Sequence, residues 1–198
     1  MKLTVGVTGL SGAGKSTVSD FLCKNGFHLI DADKIARDVL CYGSEGYFRV
    51  LEEFGNEYIN HDKTINRKKL GATVFSDKNK LEKLNAITLP LIIKTMLEEV
   101  DSSCSEYILM DAPLLLDCEL KDICDEIIYV YAEREKIIER IIKRDGISRK
   151  VAEDRINSQR DDEYFRKYAT IIIENNNGKN DLIEKAGKLL CQLKNRNC

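Results

Sequence analysis

The sequence lacks the features that would direct a protein into a membrane or out of the cell. No apolar run approaches the length of a membrane span, and the first residues show no basic segment followed by an apolar one. The seven cysteines contain no C-x-x-C pair and are odd in number, which argues against a disulfide framework and a zinc knuckle. We therefore expect a cytoplasmic protein with reduced thiols and no membrane partner.

An excess of charge of one sign is also missing. The chain carries 31 Lys and Arg against 33 Asp and Glu, a formal net charge of −2, so no general attraction to nucleic acid is implied. His28 and His61 stand far apart without a neighbour at ligand spacing, and we interpret them as packing or surface residues. These absences favour a compact enzyme that acts on small molecules, as a monomer or weak homo-oligomer without a nucleic-acid partner.

The most informative segment is the glycine-rich run from Gly9 to Ser16, which matches G-x-x-x-x-G-K-S. A β-branched apolar run precedes it, and apolar residues at helical spacing follow it. Strand, glycine turn and helix together form a phosphate cradle, in which backbone N–H groups and the helix N-terminus face the anion. Lys15 is expected to reach the β- and γ-phosphates and Ser16 to ligate Mg²⁺. The expected ATP-binding residues are Gly12, Ala13, Gly14, Lys15, Ser16 and Thr17.

Five short apolar runs predict β-strands and alternate with helical or loop segments. They span residues 2–8, 27–30, 106–110, 126–132 and 169–173. Strands that alternate with helices indicate a parallel sheet covered on both faces. With the glycine loop, this pattern predicts a P-loop NTPase of the three-layer α/β/α class with a five-stranded parallel sheet, similar to nucleotide kinases. Ligands should bind outside the carboxyl ends of the strands.

The length of 198 residues fits one domain with inserted subregions. Residues 1–40, 106–132 and 169–198 are expected to form the nucleotide-binding core. Residues 41–105 show helical spacing and predict an insertion that either binds the acceptor or only covers the sheet. Residues 133–168 predict a helical lid, because seven Lys and Arg against three Asp and Glu fall within residues 140–160.

Two arginines of the predicted lid stand out by their spacing. Arg140 and Arg144 are four residues apart, so they share a helix face away from the apolar isoleucine rows. A run of charges usually marks a solvated face, and we interpret the group as a whole in that way. For Arg140 we favour contact with the transferring phosphates, since arginine clamps stabilise phosphoryl groups in transfer.

Acidic residues end two of the predicted strands. Asp31 and Asp33 follow the second strand, and a carboxylate there could accept the proton of an acceptor hydroxyl, unless both merely cap the next helix. We assign Asp31 largely to capping or to Mg²⁺-bound water, and Asp33 to chemistry. Asp111 closes the third strand, where a Walker-B acid would hold Mg²⁺; the alternative is a turn residue before Pro113.

With these residues in view, the chain resembles the dephospho-CoA kinase family over nearly its whole length. The P-loop is common to many NTPases, whereas D-A-D-x-I-A-R and P-L-L in combination are much more specific. The matching segments are Val7–Val18, Ile30–Arg37, Val74–Asp77, Leu84–Ile92, Asp111–Leu116 and Arg140–Gln159. The chain departs from the family pattern at Leu89, which precedes Pro90 where histidine is usual, at Asp117 in place of glutamate, and near Asn177, where a glycine is usual.

The resemblance implies an activity and site roles. The activity is transfer of the ATP γ-phosphoryl group to the ribose 3′-hydroxyl of dephospho-CoA, which gives coenzyme A and ADP in the last step of coenzyme A synthesis. The family pattern assigns the base to Asp33, phosphate binding to Lys15 and the lid arginine to Arg140. The acceptor would lie against Asp33, Arg37, Pro113, Leu114 and Leu115, and Asn175 would lie near the ATP adenine. From the residues themselves, Arg144 is expected to bind ATP beside Arg140, and Ser16 and Asp111 are expected to hold Mg²⁺.

Two other functions share the same core. A nucleoside or nucleoside monophosphate kinase would have the same loop, lysine and lid but a different acceptor. A non-catalytic P-loop switch would bind nucleotide and exchange partners, and it would ordinarily carry an N-K-x-D base-recognition motif, which this sequence lacks. The three functions differ in whether phosphoryl transfer requires an acceptor and in which acceptor it requires.

Overall fold

The computed structural model describes residues 2–196 of the chain. Six free thiols fall within that range, whereas Cys198, whose reduced state the sequence also predicts, lies outside the described residues. Within the same range, the helices are too short or too polar to cross a membrane.

Five strands form one sheet, as predicted, with bounds within two residues of the expected ones. They are β1 (Leu3–Thr8), β2 (His28–Asp31), β3 (Tyr107–Asp111), β4 (Glu126–Tyr131) and β5 (Ile171–Glu174). Their order is β2-β3-β1-β4-β5, and β1 pairs in parallel with both β3 and β4, as β4 does with β5. Because β3 lies between β1 and β2, the first two strands of the chain are not neighbours in the sheet.

Helices occupy most of the segments between the strands. They are α1 (Lys15–Lys24), α2 (Ala32–Asp38), α3 (Glu45–Phe54), α4 (Arg67–Phe75), α5 (Lys78–Ser102), α6 (Arg134–Asp145), α7 (Arg149–Asn157), α8 (Asp162–Tyr168) and α9 (Lys179–Arg196). Side chains cap several of them: Asn66 accepts from the Lys69 N–H at the start of α4, and Ser148 accepts from the Val151 N–H at the start of α7.

The chain divides into two compact units. The first unit contains the residues up to Ile30 and those from Ser103 onward, and the second contains Asp31–Ser102. The predicted insertion began at residue 41, whereas the second unit begins at Asp31 and includes α2. The predicted lid, residues 133–168, belongs to the first unit.

The first unit has covering segments on both faces of its sheet. Alternate residues of β1 point to opposite faces. Val5 and Val7 lie in one buried cluster with α1, α6, α7 and α9, to which the predicted lid contributes Ile137, Ile141 and Ile156. On the other face, Tyr129 of β4 stacks on Phe165 of α8 with ring centroids 5.1 Å apart. The three-layer α/β/α class is therefore confirmed.

The second unit is helical and has a core of its own. Tyr47, Val50, Tyr58, Ile65, Leu70 and Val74 form a buried cluster, and Leu81, Leu84 and Ile87 of α5 pack against it. The apolar stripe that predicted a helix in this region therefore serves packing within the second unit.

Candidate active site

The loop between β1 and α1 adopts a conformation that requires glycine. Gly9, Gly12 and Gly14 have φ of 139°, 84° and 110°, a region that other residues rarely enter. A Cβ on Gly9 would come within 2.5 Å of the Val130 carbonyl oxygen, and one on Gly14 within 2.4 Å of Asn175 Nδ2. The glycines of the motif thus allow both the tight turn and the close approach of neighbouring groups.

The N-terminus of α1 is suited to an anion. Gly14 is its N-cap, and within the described chain no side chain caps this end and no acid lies in its first turn. The first N–H groups of a helix have no intrahelical acceptor, and the helix dipole adds positive potential there. The loop and the helix start therefore form the phosphate cradle that the sequence predicts.

Lys15 lies at the first position of α1 and its side chain reaches back along the loop. Its Nζ donates to the carbonyl oxygen of Gly9 at 2.7 Å and contacts that of Leu10 at 3.3 Å. The ammonium group is thereby held against the start of the loop, within the cradle rather than in bulk solvent. This placement suits a lysine that binds phosphate oxygens.

Asp111 ends β3 beside α1. Ser19 Oγ donates to Asp111 Oδ2 at 3.4 Å, and burial together with the charges of Asp20 and Asp111 raises the pKa of the Cys23 thiol. Ser16 and Ser19 are three residues apart, so they share a face of α1. The Asp111 carboxylate therefore lies next to the helix face that carries the Ser16 hydroxyl.

These two groups are hard oxygen donors of the kind that Mg²⁺ prefers. Mg²⁺ in kinase sites keeps several waters and substrate phosphates and uses only one or two protein ligands. Within residues 2–196, no group of three or more His, Cys, Asp and Glu side chains is placed to hold a metal. The donor set of Ser16 and Asp111 fits the expected ion.

Arg140 of α6 contacts the outer side of the loop. Its Nη2 donates to the Asn175 carbonyl oxygen at 2.8 Å, and its Nη1 lies 3.5 Å from the carbonyl oxygens of Gly12 and Ala13. Asn175 in turn donates from Nδ2 to the Ala13 carbonyl oxygen at 2.7 Å. The predicted lid arginine, Arg140, and the predicted ATP-binding residue Asn175 are thus joined to the loop itself.

Arg144 lies near the loop but is paired with its neighbour. Its Nε and Nη2 donate to the Asp145 carboxylate at 2.6 and 2.9 Å, while Nη2 lies 3.4 Å from Ser11 Oγ. Hydrogen bonds from Arg144 and then from Arg155 lower the pKa of Asp145 to about 2. Asp145 therefore stays ionised at neutral pH and ties α6 to α7.

A cavity of about 530 Å³ opens in the first unit beside the end of β1. Thr8, Pro113, Leu114 and Phe165 are among its lining residues, so two of the predicted acceptor residues lie there. Leu115, the third, does not line it: its side chain is 1% exposed and packs at Gly6 of β1. The irregular 3₁₀ turn at Leu115–Asp117 places the next side chain, Leu116, on the cavity wall instead.

Among the polar residues that line this cavity, Asp117, Gln159, Arg160 and Tyr164 are not among the site residues that the sequence predicts. Asp117 Oδ1 accepts from Tyr164 Oη at 2.7 Å and from Arg160 Nη2 at 2.8 Å. Burial and the hydrogen bond to Asp117 raise the pKa of Tyr164 to about 12. Gln159 Oε1 accepts from the Ser11 N–H at 2.9 Å, which links the cavity to the glycine loop. The signals in the sequence were the departure at Asp117, the basic run that ends at Arg160 and the family-matching segment that ends at Gln159.

In the second unit, the two aspartates at the end of β2 have different surroundings. Asp31 is the N-cap of α2, and its Oδ1 accepts from the N–H groups of Asp33 and Lys34, so its predicted capping role is confirmed. Asp33 is exposed, and its carboxylate makes no hydrogen bond or ion pair to any described residue. Asp33 and Arg37 are four residues apart on one face of α2. The position of Asp33 relative to the cradle stays a prediction.

Comparison with known proteins gives a consistent result. A family model for dephospho-CoA kinase matches residues 3–181. The dephospho-CoA kinase of Fusobacterium nucleatum is 40% identical over 183 residues, 92% of this chain and 94% of that protein; the one from Carboxydothermus hydrogenoformans is 40% identical over 174 residues, 86% and 84%. The solved dephospho-CoA kinase of Campylobacter jejuni is similar with a TM-score of 0.77 and 29% identity over the whole of both chains.

Proposed function

The chain belongs to the dephospho-CoA kinase family, and we propose that it transfers the γ-phosphoryl group of ATP to the ribose 3′-hydroxyl of dephospho-CoA, which gives coenzyme A and ADP. The observation that supports this most is the glycine loop that leads into α1, with Lys15 held inside it. The loop supports a nucleoside triphosphate as the phosphoryl donor, and membership of the family supports dephospho-CoA as the acceptor. A cytoplasmic location and a monomeric or weakly oligomeric state stay predictions.

The nucleotide is proposed to bind through the loop and its neighbours. Backbone N–H groups from Gly12 to Thr17 would contact phosphate oxygens, and the Lys15 ammonium would balance the charge that moves in the transition state. Arg140 and Arg144 would add positive charge from α6. Their contacts with the loop, to Ala13 and to Ser11, support this assignment.

Ser16 and Asp111 are proposed to hold Mg²⁺, directly or through water. The ion would neutralise phosphate charge when ATP is bound. The protein would contribute the Ser16 hydroxyl on one face of α1 and the Asp111 carboxylate, which lies against that face. The hydrogen bond from Ser19 to Asp111 supports this placement.

Acceptor-binding roles are proposed for residues in each of the two units. Asp33 would take the proton of the 3′-hydroxyl as the oxygen bonds to phosphorus, because, of the two aspartates at the end of β2, it is the one that capping does not occupy. Arg37, on the same face of α2, would pair with the acceptor diphosphate. In the first unit, Pro113 and Leu114 would form an apolar wall for the acceptor.

Substitution of Arg140 tests whether this arginine contributes to catalysis or only to stability. Arg140→Ala should lower kcat/KM by about 10²-fold or more, because it removes a cation that stabilises the transferring phosphoryl group. Unpairing the Asn175 carbonyl should cost about 1–3 kcal/mol, so the melting temperature should fall by only about 2–12 °C. Steady-state kinetics and thermal unfolding measure the two effects.

Arg134→Ala is the matched control, since Arg134 lies on the same helix and donates to Asn157 Oδ1, outside the loop. It should leave kcat/KM near the wild-type value. A large fall in stability for Arg140→Ala with nearly normal turnover would make Arg140 a structural residue.

A screen of acceptors tests the function itself. The purified protein with Mg-ATP should phosphorylate dephospho-CoA, and mass spectrometry should place one added phosphoryl group on the product. AMP, CMP and nucleosides should react at least about 10²-fold more slowly, because they lack the groups that extend beyond the adenosine. Preferential phosphorylation of a mononucleotide would favour a nucleotide kinase, and slow hydrolysis that no acceptor accelerates would favour a nucleotide switch.

A further inference from the structure

Asn175 is built into the structure at the outer side of the glycine loop. It directly follows β5 and is 5% exposed. Its backbone N–H donates to the Tyr131 carbonyl oxygen of β4 at 2.8 Å, which fixes the backbone. Its side-chain Nδ2 donates to the Ala13 carbonyl oxygen at 2.7 Å in a buried contact. The sheet edge and the loop are therefore joined through one amide side chain.

Arg140 fixes the orientation of that amide. Its Nη2 lies 2.8 Å from the Asn175 carbonyl oxygen and 3.3 Å from Asn175 Oδ1. With Oδ1 facing the guanidinium, Nδ2 has to face Ala13. Both polar atoms of the side chain thus have partners inside the protein, and its low exposure leaves little surface for a nucleotide base.

The contact with Ala13 determines the direction of a loop N–H group. A trans peptide is planar, so the carbonyl of Ala13 and the N–H of Gly14 point in opposite directions. Because the Ala13 carbonyl points at Asn175, the Gly14 N–H points away from it. Gly14 is the N-cap of α1, where N–H groups are expected to face phosphate oxygens. The missing Cβ of Gly14 is also what allows Asn175 to approach so closely.

We propose that Asn175 is a positioning residue, which holds the glycine loop in its phosphate-binding conformation through Ala13 and does not read the adenine. The inference rests on the proposed function, in which this loop binds the triphosphate of ATP. It differs from the role that the family resemblance implies for Asn175, because a residue that orients the loop acts on any triphosphate, whatever base it carries.

The test compares Mg-ATP with inorganic tripolyphosphate, which has no base. Asn175→Asp places a carboxylate oxygen against the Ala13 carbonyl, and Asn175→Ala removes its 2.7 Å donor and leaves only the 3.5 Å contact from Arg140. Each substitution should lower the affinity for both probes by about tenfold or more and by the same factor, as measured by calorimetry. Thermal unfolding shows whether each variant is folded. If Asn175→Asp does not fold, the comparison relies on Asn175→Ala.

Asn176→Asp is the matched control. Asn176 is the adjacent residue, its Oδ1 accepts from the Glu133 N–H at 2.9 Å, and a carboxylate can accept that bond equally well. This variant introduces the same charge one residue away and should bind both probes like the wild type.

Several results would overturn the proposal. A loss of ATP affinity with unchanged tripolyphosphate affinity would mean that Asn175 reads the base. A lower melting temperature with unchanged affinities would make it a folding residue only, and a wild type that does not bind tripolyphosphate would remove the premise. A wild type that binds tripolyphosphate but does not phosphorylate dephospho-CoA would instead overturn the proposed function and leave the positioning role intact.

Discussion

Lys15→Ala should lower kcat/KM by about 10³-fold or more while the protein remains folded. Such a loss corresponds to about 4 kcal/mol of transition-state stabilisation, the size expected when a preorganised charge is removed from a phosphoryl-transfer site. The lysine also donates to the Gly9 carbonyl oxygen, but loss of that bond should cost only about 1–3 kcal/mol of the free energy of unfolding. A domain with a typical stability of about 5–15 kcal/mol tolerates this.

The measurement is steady-state kinetics with dephospho-CoA and Mg-ATP, combined with thermal unfolding. Lys24→Ala provides the control, because Lys24 is an exposed lysine in the last turn of the same helix. It should leave both kcat/KM and the melting temperature near the wild-type values. Wild-type turnover in folded Lys15→Ala would show that the glycine loop is not the catalytic centre.

The sequence predicted the sheet well because its signals are local. Each strand is a short apolar run, and β1 with α1 carries a motif in which glycine, lysine and serine have separate physical roles. The capping role of Asp31 could also be predicted, since an N-cap depends on residues only two and three positions away.

The contacts that complete the site could not be predicted in this way. Arg140 meets the Ala13 carbonyl 127 residues earlier in the chain, and Gln159 meets the Ser11 N–H 148 residues earlier. No periodicity encodes such pairs, since they depend on how packed elements bring distant segments together. Local sequence also failed to predict the position of Leu115. An irregular turn determines that Leu114 and Leu116, and not Leu115, line the cavity.

The unit boundary shows a further limit of local signals. The apolar positions of α2 fit a helix after a strand, and nothing in that pattern says which core the helix joins. The structure groups α2 with Asp31–Ser102, so the proposed base Asp33 and the proposed phosphate lysine Lys15 belong to different units. For Asp33, a kinetic test of the residue itself is therefore the direct one.

Asp33→Asn should retain ATP binding and slow phosphorylation of dephospho-CoA by about 10²-fold or more, or at least about 2.7 kcal/mol of barrier. Asparagine has the size of aspartate but cannot accept the hydroxyl proton as a comparable base. The exposed Asp33 carboxylate has no partner among the described residues, so its replacement should not unpair any of them or change the melting temperature.

Asp38→Asn is the control for charge, because Asp38 is an exposed aspartate on the same helix, α2. It should leave turnover near the wild-type value. Single-turnover kinetics at saturating Mg-ATP separate the chemical step from binding, and calorimetry gives the ATP affinity of each variant. An unchanged rate in Asp33→Asn would remove this residue from the mechanism. A matching loss in Asp38→Asn would attribute the effect to the charge of α2. A loss confined to Asp33→Asn, with ATP affinity preserved, is what a base that acts on the acceptor hydroxyl requires, since such a group contributes to the transfer step and not to holding the donor.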